Sequence, residues 1–469
     1  MITYSTWFDN QTEVLNLIGC LKKIKYFIRR KIMNEKKMSL MDLVFMGMGG
    51  CIGAGIFSML GVGIGYTGRA VWLAFIIAMI FKMSQQVRMV IMASMFSLSG
   101  GMYSQQALIL TPMLTGVSAL TTVVSAFSFS VFGISLASYT ATLIPAVANF
   151  QTPLACAYLA LFFILGTTGA DLFSKVQNLL GISKIVTLGM FIVFGLVFIK
   201  NNNTAELYAG EPSMMGGIGG FVMAIAMMSF TCDGISNIIN MAQVAEKPKK
   251  NIPLAWLIAS AACALIYCLL GFVGSRLGSY ETVAYANLGD LAQKVLPAGL
   301  FLFFIIGGAM ASLSTALLGG VTGYAPLIQG IAQDGWLPKA MMDKKKVMLV
   351  MWIGAILPVL GGFSLDNIVA MIMVPGMVLG VIVNLRAMKL PEQYPEEWAN
   401  TGLNISAGAY RFMMWVSIVA SLLTGVFSLM SLTLPLMIGT VFATAFIFWY
   451  SNYCLKTGKV NITSTQDLG

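Results

Sequence analysis

The chain has 469 residues, 58% of them hydrophobic and 10% charged, with a formal net charge of +10 and a mean hydropathy of +0.84. Soluble domains carry about 25% charged residues, so the composition excludes an ordinary soluble protein and points to an integral membrane protein with many spans. The hydrophobic runs are long and evenly apolar, which excludes a membrane β-barrel, whose strands alternate with a period of two. The expected class is an all-α membrane protein. Seven cysteines show no metal-type spacing, and no histidine is present. No metal, cofactor or disulfide framework is implied.

Residues 1–38 form a basic segment with Lys22, Lys23, Lys25, Arg29, Arg30 and Lys31, and no small-residue cleavage site follows them. Two readings stay open: an interfacial helix on an anionic leaflet, or a basic tail that serves topology alone. Twelve apolar runs follow, at about 40–63, 70–97, 112–146, 151–170, 178–199, 216–243, 254–275, 297–323, 347–363, 365–386, 411–431 and 433–453. With a cytoplasmic N-terminus, 21 of the 28 Lys and Arg residues fall on the inside and four (Arg69, Lys200, Arg276, Lys294) on the outside. The positive-inside rule then predicts a multi-pass cell-membrane protein with both termini in the cytoplasm. The positive charge is topological and gives no reason to expect a nucleic-acid partner.

The first run carries Gly47-Met48-Gly49-Gly50-Cys51-Ile52-Gly53-Ala54-Gly55-Ile56-Phe57. Glycine weakens a helix by about 1 kcal/mol relative to alanine, so this cluster invites unwinding and lets another molecule approach the backbone. Unwound backbone survives at membrane depth only when buried in protein or lining a cavity. The stretch is therefore a tight helix-packing face or a binding site made of main chain. A second interrupted run begins at Gly216-Gly217-Ile218-Gly219-Gly220 and breaks at Ser229-Phe230-Thr231-Cys232-Asp233-Gly234. An interrupted helix at the first position of each of two five-helix halves is the signature of an inverted-repeat secondary transporter. The symmetry rests on position alone, since the halves share no visible sequence similarity.

At these residues the chain resembles the amino acid–polyamine–organocation superfamily, the amino acid permeases with the leucine-transporter fold. Gly49-Gly50-Cys51-Ile52-Gly53-Ala54-Gly55-Ile56-Phe57 is similar to the family's G-x-x-I-G-x-G-I-F. Phe230-Thr231-Cys232-Asp233-Gly234 and Glu246-Lys247-Pro248-Lys249-Lys250-Asn251-Ile252-Pro253 match F-x-x-x-G and E-x-P-x-x-x-I-P. Val176-Gln177-Asn178-Leu179-Leu180 and Asp334-Gly335-Trp336-Leu337-Pro338 add two further matches. Two departures touch the family's cytoplasmic gate: Ile91 stands for a common glutamate, and Ala325-Pro326 for a serine–arginine pair. The resemblance covers about 38–455. It implies twelve helices, with a first inverted repeat over 39–200, a second over 201–390, two extra helices over 391–455 and a cytoplasmic tail over 456–469.

The resemblance also implies a site. Ile52, Gly53, Ala54 and Gly55 would offer N–H groups to a substrate carboxylate, aided by the half-helix dipole. Carbonyls of Phe230, Thr231 and Asp233 would take the ammonium, with Cys232, Gly234 and Ser236 beside them and the Phe230 ring as an aromatic gate. Lys184, in an otherwise apolar span, sits where sodium-independent relatives carry a lysine in place of a sodium ion. Ser312, Ser314 and Thr315 would be its neighbours. The competing reading is a lysine that snorkels to the interface.

Asp233 is the only carboxylate well inside a predicted span, where it would cap the restarting helix, sense a basic group or carry a proton. From Ala70, at 1.5 Å per residue, Lys82 lies about 18 Å and Arg88 about 27 Å into a core of about 30 Å. Arg88 is accordingly expected at the cytoplasmic edge as a topological anchor. Lys82 shares a face with Gln86, points into protein or water, and reads as structural. Gly307, Gly308 and Ser236 suggest space rather than charge in the pocket.

These features fit a secondary amino acid transporter, sodium-independent, working by proton symport or exchange. A polyamine or other amine transporter of the same fold is the alternative, and a sensor without flux a more distant one. A channel would show rings of charges or carbonyls. An enzyme would need a cluster of nucleophile, acid and base, which one deep carboxylate and no histidine do not provide. Lipid and a small molecule are the expected partners, and a homodimer stays open.

Overall fold

The computed structural model describes residues 37–96, 101–168, 171–241, 245–403 and 405–462. The basic segment 1–36 and residues 463–469 lie outside the described residues, as do the side chains of residues 171–179, which carry most of the Val176–Leu180 motif.

Regular structure among the described residues is helical, apart from an isolated bridge between Met38 and Ala245. Helices α1 (Leu40–Cys51) and α2 (Ala54–Thr67) form the first broken element, and the corner Gly68–Ala70 leads into α3 (Val71–Met95). Next come α4 (Gly101–Ile109) and α5 (Pro112–Val124), the latter running through a 3-10 turn into α6 (Phe129–Leu143). Helices α7 (Gln151–Thr168) and α8 (Asp171–Asn201) complete the first half. The second broken element is α9 (Gly217–Thr231) with the 3-10 segment Asp233–Met241. After α10 (Pro248–Gly274), α11 (Ala298–Phe303) passes through a π-helical segment, Phe304–Met310, into α12 (Ala311–Gln333). The chain ends on α13 (Lys344–Leu360), α14 (Leu365–Ala387), α15 (Ala407–Ser431) and α16 (Leu434–Lys456).

Local chemistry sets the ends. Ser39 and Asp42 form a capping box at α1: the Asp42 N–H donates to the Ser39 hydroxyl (3.3 Å) and the Ser39 N–H to the Asp42 carboxylate (2.9 Å). Prolines at 112, 248 and 435 open helices in the first turn, where no N–H is missed. Gly68, at φ +63°, takes the left-handed corner between α2 and α3 that side chains rarely adopt.

Ten segments among the described residues are long and apolar enough to cross a membrane, where twelve were expected. The difference lies in two places. The first of the ten, Gly55–Met95, contains both α2 and α3, and α13 has only 17 residues. Helices α15 and α16 expose Phe412, Trp415, Phe442 and Trp449, an apolar face suited to lipid.

The two broken elements lie side by side and run in opposite directions. Gly55 of α2 packs against Thr231 at the end of α9, and Tyr66, at the far end of α2, lies against Gly216 and Gly220. Beyond the breaks, Gly50 lies on Gly234, and the Glu246 N–H donates to the Met38 carbonyl (2.9 Å). The breaks therefore face each other. Backbone approach this close is what the glycines permit: a Cβ on Gly50 would stand 2.5 Å from the Gly234 carbonyl oxygen, and one on Gly234 would collide with the Gly50 carbonyl. Gly49, by contrast, has open space.

Gly234→Ala is expected to lower stability by about 1–3 kcal/mol, the usual cost of overpacking. Gly49→Ala should be neutral or stabilising, by up to about 1 kcal/mol. Melting of the two purified variants in detergent checks the contrast, and equal midpoints would refute the crossing.

Candidate functional site

At the first break, α1 ends at Cys51, and the Ile52 N–H returns to the Met48 carbonyl (2.7 Å). The Gly53 N–H donates to the Cys51 carbonyl (2.7 Å), and α2 starts with Gly53 as N-cap and no side-chain cap. The first-turn N–H groups of a helix have no partner within it, and here no side chain among the described residues supplies one. At the second break, α9 ends at Thr231 and the Cys232 N–H donates to the Ser229 carbonyl (3.3 Å).

Tyr267, fully buried on α10, ties the two together. Its hydroxyl donates to the Cys51 carbonyl (2.7 Å) and lies 3.4 Å from the Thr231 carbonyl. The Cys51 thiol also reaches the Thr231 carbonyl (3.4 Å). One side chain thus reaches a carbonyl at each break. A second clasp uses Gln86 of α3, which donates to the Asp233 carbonyl (3.3 Å) and accepts from the Trp256 indole (2.9 Å). The Ser236 hydroxyl donates to that same Asp233 carbonyl (2.8 Å).

A cavity of about 260 Å³ adjoins the second break. Phe230, Asp233 and Ser236 line it from the broken element, Lys82, Gln86 and Arg88 from α3, Tyr324 from α12 and Asn384 from α14. Ile52, Gly53 and Gly55 do not line it; they are buried at the crossing, with Gly53 close to Ala316 of α12. Thr231 and Cys232 are buried there too. The side chain of Ala54 lies outside what the structure describes. The expected substrate residues therefore converge on one place, and Phe230, Asp233 and Ser236 are the ones that open onto space.

Four expectations change. The Asp233 carboxylate does not cap the restarting helix, since no backbone N–H among the described residues donates to it. It pairs with Lys82 Nζ at 2.8 Å. Lys82, read as structural, is thus part of the site. Arg88, expected at the cytoplasmic edge, is 3% exposed, and its Nε donates to Asn384 Oδ1 (3.3 Å). Depth counted along one helix does not say what packs around it. Gly307 and Gly308 offer no room to a ligand, because α8 fills it: the Ser183 hydroxyl donates to the Gly307 carbonyl (2.6 Å), and Thr187 packs on Gly308. The π-helical segment explains the first contact, since its altered hydrogen bonding offers a carbonyl to a neighbouring helix.

Lys184 lies between those two contacts on α8 and is buried at 4% exposure, not turned out to the surface. On α12, the Thr315 hydroxyl bonds back to Ala311 (2.9 Å), and the Ser312 hydroxyl is buried without a partner among the described residues. Ser314 is half-buried.

The two ends of the site differ. At the α2 end, the Tyr66 hydroxyl donates to Asp366 of α14 (2.8 Å), and the Tyr285 N–H donates to the Gly61 carbonyl (2.8 Å). The 280–293 connection thereby lies over α2. The cavity extends the other way, along the later turns of α3 and α14 as far as Arg88 and Asn384. Tyr267, Trp256 and the Lys82–Asp233 pairing were not read from the sequence. The available signal was a phenol and an indole N–H inside apolar spans, each of which needs a partner when buried.

Tyr267→Phe leaves the Cys51 carbonyl with the Gly53 N–H alone, and the loss of one buried hydrogen bond should cost about 0.5–1.5 kcal/mol. The melting midpoint of the purified variant measures this, and an unchanged midpoint would show that the phenol is dispensable.

The profile of the family described as amino acid permease matches residues 38–458. An uncharacterised protein of Methanocaldococcus jannaschii is 28% identical over 66% of the chain and 71% of its own length. The methylthioribose transporter of Bacillus subtilis is 24% identical over 77% of the chain and 82% of its own length. The branched-chain amino acid permease of the same organism is 23% identical with the same coverage.

Proposed function

The chain belongs to the amino acid permease family, and on that premise we propose that it is a sodium-independent secondary transporter that moves amino acids by alternating access, through proton symport or exchange. One observation carries this reading: two broken elements meet break against break beside a polar cavity. A zwitterion leaving water needs partners for both its charges. The uncapped start of α2 suits the carboxylate, which assigns Ile52, Gly53, Ala54 and Gly55 to that end. The carbonyls of Phe230, Thr231 and Asp233 suit the ammonium. Those of Thr231 and Asp233 each already accept two side-chain bonds, so an ammonium would take the place of a donor such as the Ser236 hydroxyl.

The charge asymmetry of the connecting segments supports cytoplasmic termini, which would turn the cavity towards the cytoplasm and make the Tyr66–Asp366 contact the closed outer end. Exchange of the two ends requires that contact to part while the cavity closes. Burial of Lys184, next to the Ser183 that bonds the π-helical segment, supports a fixed or exchangeable positive charge where a sodium ion would otherwise sit. Transport of an organic amine is the second reading, favoured by the Asp233 carboxylate exposed to the cavity.

Proteoliposome uptake of a labelled amino acid panel tests the proposal. Uptake should persist in sodium-free buffer and respond to a proton gradient or to a preloaded amino acid. Lys184→Ala should abolish the response to pH, and a variant with wild-type pH dependence would sink the coupling role.

A further inference from the structure

The Lys82–Asp233 pair is lopsided. The lysine side chain is 14% exposed and the aspartate 61%, although their charged atoms are 2.8 Å apart. Lys82 runs between helices and delivers its ammonium to the cavity wall, where the carboxylate stands open. The carboxylate serves no helix end. No backbone N–H among the described residues donates to it, and the turn that Asp233 opens is closed by the Ser236 hydroxyl. What balances Asp233 is a primary ammonium on a four-carbon stem, the group that ends a lysine side chain or a diamine.

We propose that the Asp233 carboxylate is a subsite for alkylammonium groups and that Lys82 occupies it as a tethered internal cation. The protein then favours amino acids with uncharged side chains over those that end in an ammonium. The inference rests on the amino acid transporter reading above. An incoming ammonium finds the carboxylate already neutralised and meets Lys82 as a like charge a few ångströms away. Arg88, the other cation lining the cavity, has no carboxylate within 4.0 Å among the described residues and adds to the repulsion. Without Lys82 the sign reverses, because an unpaired, accessible carboxylate attracts the group it previously excluded.

The test uses the purified full chain in proteoliposomes, with L-lysine and L-norleucine as competitors of labelled norleucine uptake. The two share backbone and stem and differ by the terminal ammonium. In the wild-type protein norleucine should compete better. Lys82→Met should shift the ratio of inhibition constants towards lysine by about tenfold, Lys82→Arg should keep the wild-type ratio, and Lys82→Met combined with Asp233→Asn should cancel the shift. A ratio unchanged in Lys82→Met overturns the proposal. The wild-type comparison requires no variant to fold, and lysine competing as well as norleucine there overturns it too. Absence of uptake for every amino acid in the wild-type protein overturns the transporter reading beneath it, whereas uptake with an unchanged ratio overturns the tethered cation alone.

Discussion

Much of this molecule follows from the cost of a backbone polar group left unpaired in an apolar interior, ~2–7 kcal/mol for an amide without a partner. A continuous helix avoids the cost by pairing each N–H and C=O internally. Two helices here forgo that solution at Ile52–Gly53 and at Cys232–Asp233, and the surrounding helices make up the difference. Tyr267 serves Cys51 and Thr231 from α10, while Gln86 and Ser236 serve Asp233. The partners come from α3 and α10, which hold the two breaks in one place. A break that recruits partners in this way becomes a rigid arrangement of main-chain donors and acceptors, the kind of surface on which a zwitterion can be held.

The glycines have a second consequence. By letting Gly50 lie on Gly234 and Gly55 on Thr231, they bring the breaks to the same level along two oppositely directed elements. The start of α2 and the carbonyl end of α9 then lie together, one suited to negative charge and the other to positive. The closed contact at Tyr66–Asp366 and the cavity reaching Arg88 and Asn384 lie on opposite sides of that level. The alternating access proposed above asks for this asymmetry: one path sealed by side-chain contacts, the other open, and the proposed binding groups between them.

Legibility in the sequence was uneven. The breaks were readable because two glycine-rich interruptions fall at the first span of each half, and the helical class because composition leaves no alternative. Lys82 and Asp233 each stood out as charges in spans, yet nothing in a one-dimensional pattern says that a residue of α3 meets the residue after α9. Arg88 was read as an anchor at the edge because rise per residue gives depth, whereas its burial depends on Asn384 and its neighbours on α14. Gly307 and Gly308 were read as room for a ligand, but small residues are equally what a neighbouring helix needs in order to approach, and Ser183 and Thr187 take that space.

The glycine-rich stretch at the front of the chain illustrates the division. By itself the sequence determined that the first span breaks near Ile52, that a second breaks near Cys232, and that the chain is helical and membrane-embedded, because propensity and hydropathy act locally. Only the tertiary structure decided that Tyr267 spans both breaks, that Asp233 is neutralised by Lys82, and that the cavity opens on one side of the crossing. Those outcomes depend on which helices become neighbours, and that is set by side-chain packing between segments far apart in the chain.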